Sequence, residues 1–182
     1  MADDAVVPNF RYKCSTCEEI HTGFPVFRLI NPDAFLAIPK AEREHRCFKT
    51  DDTCIIDGEQ YLVRCDIDLV IQGTRETLTL SVWGSLSEAN FKLYERHRDD
   101  SDRARLGPFF SWLSSRLDTD EYPDTLNLAC RMQIRDPGLH PLLILQSEDD
   151  HPLAREQHDG IAFAKALRIV QPFITWHSAG VT

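Results

Sequence analysis

The stretch that decides the fold is TCIIDGEQYLVRCDIDLVI, residues 53–71. Its Asp-Gly pair at 57–58 lies between two apolar runs, which is typical of a two-residue β-hairpin turn because both residues tolerate positive φ. Such a turn would pair Cys54 with Tyr61. From Tyr61 onward, apolar and polar residues alternate, as in a strand with one buried and one mostly solvated face. We therefore expect a long antiparallel hairpin at the centre of the molecule.

The patterns on either side of this hairpin indicate further short elements. In chain order they predict helical pieces near 32–46, a strand through 78–82, a helix that begins at Ser85 or Ser87, a short helix from Pro108, strands over 125–135 and 142–145, and a helix over 151–171. This order is typical of an α+β domain: an antiparallel sheet of about five strands, with helices packed mainly on one face.

The domain boundaries follow from the same patterns. Residues 1–9 are expected to form a flexible tail, 10–173 a single domain, and 174–182 a C-terminal tail. A chain of 182 residues is long enough to bury a core of its own.

Composition limits the classes of partner. The chain carries a formal net charge of −9 and a pI of about 5.2. A phosphate backbone would be repelled, so nucleic acid is not expected as a partner, whereas a protein with a basic surface is electrostatically favoured. The negative charge can also be explained without a partner, because it keeps a protein soluble. The chain shows neither a signal peptide nor an apolar run that could span a bilayer, so we expect a cytoplasmic protein without a membrane role.

Six cysteines in a reducing compartment are expected to be free thiols or metal ligands. Cys14 and Cys17 have the C-x-x-C spacing with which one turn can grip a zinc ion, and His21 and Cys47 are the candidates to complete the site. The alternatives are a pair of partly buried free thiols, or a redox dithiol. Redox chemistry favours a cysteine at a helix N-terminus within a βαβ unit, and no such pattern surrounds Cys14.

The remaining cysteines are weaker candidates. Cys65 would lie roughly 13 Å along the ladder from the residue that pairs with Cys54, so these two cannot share a metal ion or form a disulfide. Cys65 and Cys130 both point toward expected core faces, where cysteine behaves as a small apolar residue.

A polar block near the C-terminus raises the alternative of an enzyme of unknown class. His151 and Glu156 could converge with His21, perhaps around a metal. A surface histidine at a helix start explains the same residues without a function. No nucleophile elbow, P-loop or dinucleotide fingerprint accompanies them, so the balance favours a protein that is not an enzyme.

Several blocks together resemble a bacterial family catalogued as a domain of unknown function. They are the cysteine pair with His21, Cys47 and CIIDGE at 54–59, WGSLSE at 83–88 with Asn90-Phe91, GPFF at 107–110 with Trp112-Leu113, YPDT at 122–125 with Asn127-Leu128, and DHPLA at 150–154 with Glu156-Gln157 and Gly160-Ile161. The resemblance implies a compact bacterial domain and does not imply any particular activity. Glycine often follows the second cysteine and often precedes the Trp-Leu pair in this family, where this chain has Glu18 and Ser111.

The sequence is therefore compatible with three functions. The favoured one is a small acidic binding or regulatory domain with a structural zinc. The others are an enzyme with a site near His21, His151 and Glu156, and a thiol redox or metal-sensing protein that uses Cys14 and Cys17.

Overall fold

The computed structural model describes residues 10–146 and 150–178. The helices and strands of these residues are β1 Arg11–Cys14, β2 Ile20–Thr22, β3 Phe27–Arg28, α1 Asp33–Leu36, α2 Arg43–Arg46, β4 Cys47–Lys49, β5 Thr53–Ile56, β6 Gln60–Val70, β7 Thr77–Leu86, α3 Glu88–Arg96, β8 Phe109–Trp112, β9 Ala129–Gln133, β10 Leu142–Leu145, α4 Pro152–Asp159, α5 Phe163–Val170 and β11 Ile174–Ser178. The fold is thus a mixture of helices and strands, as expected. The tail predicted for 1–9 lies outside the described residues.

The strands form two sheets. The larger has eight strands: six in the order β3-β7-β6-β10-β9-β8, together with β5, which pairs with the first half of β6, and β4, which pairs with β5. It is mixed, because β3 runs parallel to β7 and β10 runs parallel to β6. The smaller sheet has the order β11-β1-β2. The expectation of one antiparallel sheet of about five strands is therefore wrong in strand number and direction, because pairings between distant segments leave no local pattern.

The predicted hairpin is present, with a register that differs by one residue. Cys54 pairs with Leu62 rather than with Tyr61. The turn spans 57–59, because the Glu59 amide donates to the Ile56 carbonyl at 3.0 Å. Asp57 and Gly58 both have positive φ, 53° and 69°, as the Asp-Gly signal requires. The shift turns Cys54 to the opposite face of the sheet from the one expected.

The paired strands β6 and β7 are buried on both faces. One face carries Val63, Cys65 and Ile67 into the main core, against α3, α4 and α5. The other face carries Leu62 and Trp83 into a smaller core, which is completed by Ile38, Cys54 and Ile56. The three longer helices therefore lie on one face, as predicted, but the first half of the second face is covered rather than solvated.

Two predicted helices differ from the structure. The segment after Pro108 forms the strand β8, which pairs with β9 from Phe109↔Met132 to Trp112↔Ala129. The helix expected over 151–171 is divided at Gly160, which has φ 88° and where a Cβ would meet the Val70 carbonyl oxygen at 2.9 Å. The next residue, Ile161, forms a bridge with Ile71 instead of continuing the helix.

The C-terminal segment also differs from expectation. Residues Ile174–Ser178 form β11, which pairs with β1, so the predicted tail is wrong for these residues. Residues 179–182 lie outside the described part of the chain. Because β11 joins β1, the two ends of the domain meet in the smaller sheet.

A buried arginine holds the covering segment on the second face. The Arg64 side chain is 4% exposed and donates to the backbone carbonyls of Asp51 at 2.6 Å, Leu29 at 3.0 Å and Ile30 at 3.2 Å. Its guanidinium lies 4.7 Å from the centre of the Trp83 ring. Three loop carbonyls are thereby paired inside the protein, which removes a large desolvation cost.

We predict that Arg64→Met destabilises the domain by about 2–4 kcal/mol, because methionine keeps much of the volume but removes the guanidinium that donates to these three carbonyls. Chemical unfolding followed by circular dichroism measures the difference. Arg105→Met is the matched control, since Arg105 is exposed and its guanidinium pairs with the exposed Asp102. Equal midpoints for the two variants would show that the carbonyls find other donors.

Candidate metal centre

A tight turn between β1 and β2 positions the cysteine pair. The Cys14 amide donates to the Glu19 carbonyl at 2.9 Å, and the Glu18 amide donates to the Cys14 carbonyl at 3.1 Å. Glu18 has φ 60°, the left-handed conformation that glycine adopts most easily. Glutamate therefore adopts, at this position of the turn, a backbone conformation that few residues with a side chain take.

The three nearest candidate ligands converge on this turn. One donor atom each of Cys14, Cys17 and His21 lies within 4.8 Å of the others. The Cys17 Sγ and His21 Nε2 atoms are 3.1 Å apart. His21 pairs with Tyr12 across the sheet, and the two rings stack at a centroid distance of 5.3 Å. The sheet therefore fixes the imidazole beside the turn.

Backbone amides prepare the first cysteine for a cation. The N–H groups of Cys17 and Thr16 donate toward Cys14 Sγ and lower the pKa of the Cys14 thiol, with the Cys17 amide as the largest cause. A thiolate, not a thiol, is the form that binds a metal. The turn thus stabilises the charged form before any ion arrives.

The donor set fits a transition metal. Two thiolates and an imidazole are typical zinc ligands, and the donors of one tetrahedral zinc lie about 3.5 Å from one another. Within the described ranges, no other set of three or more histidine, cysteine, aspartate or glutamate side chains is close enough to share an ion. These three side chains could therefore hold a metal ion together.

The fourth ligand proposed from the sequence, Cys47, lies elsewhere. It is in β4, where it pairs with Ile56 in the larger sheet, and burial raises the pKa of its thiol. Cys54, Cys65 and Cys130 are fully buried in the two cores, as expected for the last two. The structure thus brings three of the four proposed ligands together and leaves Cys47 apart.

His151 and Glu156 lie near each other but not near His21. His151 caps the start of α4, where its Nδ1 accepts a hydrogen bond from the Leu153 amide at 3.1 Å. Glu156 accepts from the Tyr122 hydroxyl at 2.6 Å and from Lys165 at 2.9 Å. His21, in contrast, belongs to β2 of the smaller sheet.

Two members of this second cluster were missed by sequence reasoning. Lys165 lies 4.0 Å from the centre of the Tyr122 ring, and Tyr122 stacks against His151. Burial, with help from Glu156, raises the pKa of Tyr122 well above its usual range. Among the described residues no partner satisfies the buried His151 Nε2. Since both Glu156 oxygens are engaged, the cluster ties α4 and α5 to the Tyr122 loop rather than presenting a free base.

The positions of the thiols predict an order of chemical reactivity. In the metal-free protein at pH 7.5, Cys14 and Cys17 should react with iodoacetamide first. Cys54, whose pKa burial raises to about 11, should react only after unfolding, as should the fully buried Cys65 and Cys130. Mass spectrometry of digests after timed labelling gives the order. Labelling of Cys65 as fast as that of Cys17 would contradict the buried core.

Comparison with known proteins identifies the chain by family alone. Neither a search of curated proteins nor a search of solved structures found a match. The family model described as "uncharacterized protein conserved in bacteria", DUF2199, matches residues 13–161. The match includes Cys14, Cys17 and His21 as well as the Tyr122 cluster up to Glu156. With most of its length matched in this way, the chain belongs to the DUF2199 family.

Proposed function

We propose that the protein binds one zinc ion through Cys14, Cys17 and His21, and that it is a small acidic binding or regulatory domain rather than an enzyme. The observation that carries this proposal is the convergence of two thiols and an imidazole within 4.8 Å on one turn. The identity of the ion follows from the donors, because sulfur and nitrogen ligands of this kind favour zinc among common cellular cations.

The position of the centre supports a stabilising role. The turn that carries Cys14 is bonded to the C-terminal segment, because the Ser15 amide donates to the Phe173 carbonyl at 3.0 Å. β1 itself lies between β2 and β11. An ion that fixes this turn would therefore hold both ends of the domain, and its binding free energy would add to the free energy of unfolding.

The same geometry favours a metal over dithiol redox chemistry. Cys14 ends a strand and Cys17 lies in the following turn, so neither stands at a helix N-terminus, the usual position of a redox cysteine pair. The His21 imidazole also lies 3.1 Å from the Cys17 sulfur. A metal site needs such a third ligand, whereas a dithiol does not. Thiolate ligands require a reducing compartment, for which we propose the cytoplasm.

We further propose that the partner is a protein with a basic surface. The support is the net charge of −9, which favours association with a basic surface and opposes binding to nucleic acid. Capture from lysate on the immobilised protein at 50 mM and 500 mM salt tests this proposal. Salt-sensitive capture of a basic protein that rebinds in purified form supports it, whereas equal capture at both concentrations contradicts it.

The zinc proposal predicts the metal content of the purified protein. Untagged protein prepared under reducing conditions without chelator should contain about one zinc per chain by elemental analysis. Cys17→Ser should lose most of this zinc and unfold at a lower temperature, because a serine hydroxyl is a poor ligand.

Cys47→Ser provides the matched control. Cys47 is partly buried and lies outside the group of three donors. Its replacement should leave the zinc content unchanged, whatever it does to stability. Equal zinc content in wild type and Cys17→Ser, or none in either, would contradict the proposed centre.

A further inference from the structure

We infer that the Cys14/Cys17/His21 centre is a peroxide-sensitive switch: a peroxide oxidises Cys17, Cys14 closes a disulfide with it, and the metal ion leaves the turn. The inference rests on the proposed zinc site and adds how that site is regulated. It differs from the chemistry of a redox enzyme, because the disulfide ends the binding of the metal and passes no electrons to a substrate.

The first argument is the accessibility of the thiols. All six cysteines of the chain belong to the described residues, and Cys17 alone among them is exposed. Cys14 and Cys47 are partly buried, and the remaining three are fully buried in the two cores. A bound metal holds both Cys14 and Cys17 as thiolates, so exposure decides which sulfur a peroxide meets first. That sulfur is the one of Cys17.

The second argument is the presence of a resolving thiol. The Cys14 sulfur lies within 4.8 Å of the Cys17 sulfur, in the same turn. A thiol in this position converts the first oxidation product, a sulfenic acid, into a disulfide and so prevents irreversible oxidation. The C-x-x-C spacing is also the one at which redox proteins form disulfides. Cys47 cannot take this part, because it belongs to the larger sheet.

The reaction balances with one peroxide per centre. The Cys17 thiolate attacks one oxygen of hydrogen peroxide, so an S–O bond forms, the O–O bond breaks, and the other oxygen leaves as hydroxide. The Cys14 thiolate then attacks the Cys17 sulfur, so an S–S bond forms, the S–O bond breaks, and a second hydroxide leaves. The two sulfurs lose two electrons, which the peroxide gains, and two protons from solvent convert both hydroxides into water.

The disulfide removes two of the three donors. His21 alone remains, and a single protein ligand does not retain zinc, which proteins hold with about four ligands. His21 lies in β2, which pairs with β1 at the edge of the smaller sheet. A metal ion ties β2 to the turn through His21, whereas the disulfide joins only Cys14 and Cys17. Oxidation therefore frees β2 from the turn.

The test treats the zinc-loaded, full-length protein with up to one equivalent of hydrogen peroxide. We expect about one zinc ion to be released for each disulfide formed between Cys14 and Cys17. A chromogenic chelator measures the zinc, and mass spectrometry of a non-reduced digest locates the disulfide. Reduction with a phosphine should restore zinc binding, because a disulfide is reversible and a sulfinic acid is not.

Cys47→Ser is the matched control, since Cys47 is the other partly buried thiol besides Cys14. Its zinc release should equal that of wild type. Oxidation of Cys47 before Cys17 in wild type would contradict the inference, as would zinc release that accompanies a sulfinic acid and no disulfide.

The order of the two steps is tested in zinc-loaded wild type with excess dimedone, which traps sulfenic acids. The adduct should form mainly at Cys17, because its sulfur is the exposed one. An adduct mainly at Cys14 would show that the roles assigned to the two thiols are wrong.

Hydrogen exchange tests the structural consequence. Amides of β2 should exchange at least about fivefold faster in the oxidised, metal-free protein than in the zinc-loaded protein, whereas amides of β6 and β7 should change by less than about twofold. Unchanged exchange in β2 would show that oxidation does not free this strand.

Two results separate the inference from the zinc proposal. Reduced protein that neither contains nor binds zinc would overturn both. Zinc that stays bound after one equivalent of peroxide would overturn the inference alone, because the centre would then be a structural site that the oxidant does not reach.

Discussion

The antiparallel pairing of β6 and β7 is the constraint on which the rest of the structure depends. The two strands stay in register from Tyr61↔Leu86 to Val70↔Thr77. Both faces are buried where the first half of β6 pairs with the second half of β7, so each face must be covered there by other parts of the chain. The helices cover one face through the main core, while the segment before β5 covers the other through Trp83 and its neighbours.

This double burial explains why a charged residue, Arg64, lies buried on the second face. The covering segment has irregular stretches at 29–32 and 50–52, and the carbonyls of these stretches need donors that a strand or helix would have provided. Arg64, which projects from β6, supplies several of them at once. Trp83 adds its indole N–H to the Leu29 carbonyl at 3.1 Å. Close packing also requires Gly84 in β7, since a Cβ there would lie 2.8 Å from the Ser111 hydroxyl.

Sequence reasoning succeeded where the signal was local. The hairpin, the start of α3 at Ser87 and the strand β10 each depend on neighbouring residues, and the structure contains all three. The cap at Ser87 accepts a hydrogen bond from the Asn90 amide, as a helix start of this kind requires. The convergence of Cys14, Cys17 and His21 also follows from a local signal, because the three residues lie within one short stretch of sequence.

Features that depend on distant contacts were not accessible from the sequence. The apolar residues of β8 are compatible with a helix or a strand, and only the presence of β9 decides between them. Gly160 interrupts the last helix because Val70 approaches it from the end of β6. Cys47 was included as a ligand for its closeness in sequence, whereas β4 places it against Ile56.

Glu18 affects the candidate site in two ways, through its backbone conformation and through its side chain. A left-handed backbone costs a residue with a side chain about 1 kcal/mol, and glycine in its place would avoid most of that cost. With glutamate the turn keeps its shape, as the φ of 60° shows, and gains a carboxylate next to Cys17. Backbone geometry at this position therefore shapes the turn that brings Cys14 and Cys17 together, while the side chain adds an exposed negative charge. The two effects are separable, since one depends on φ and the other on charge.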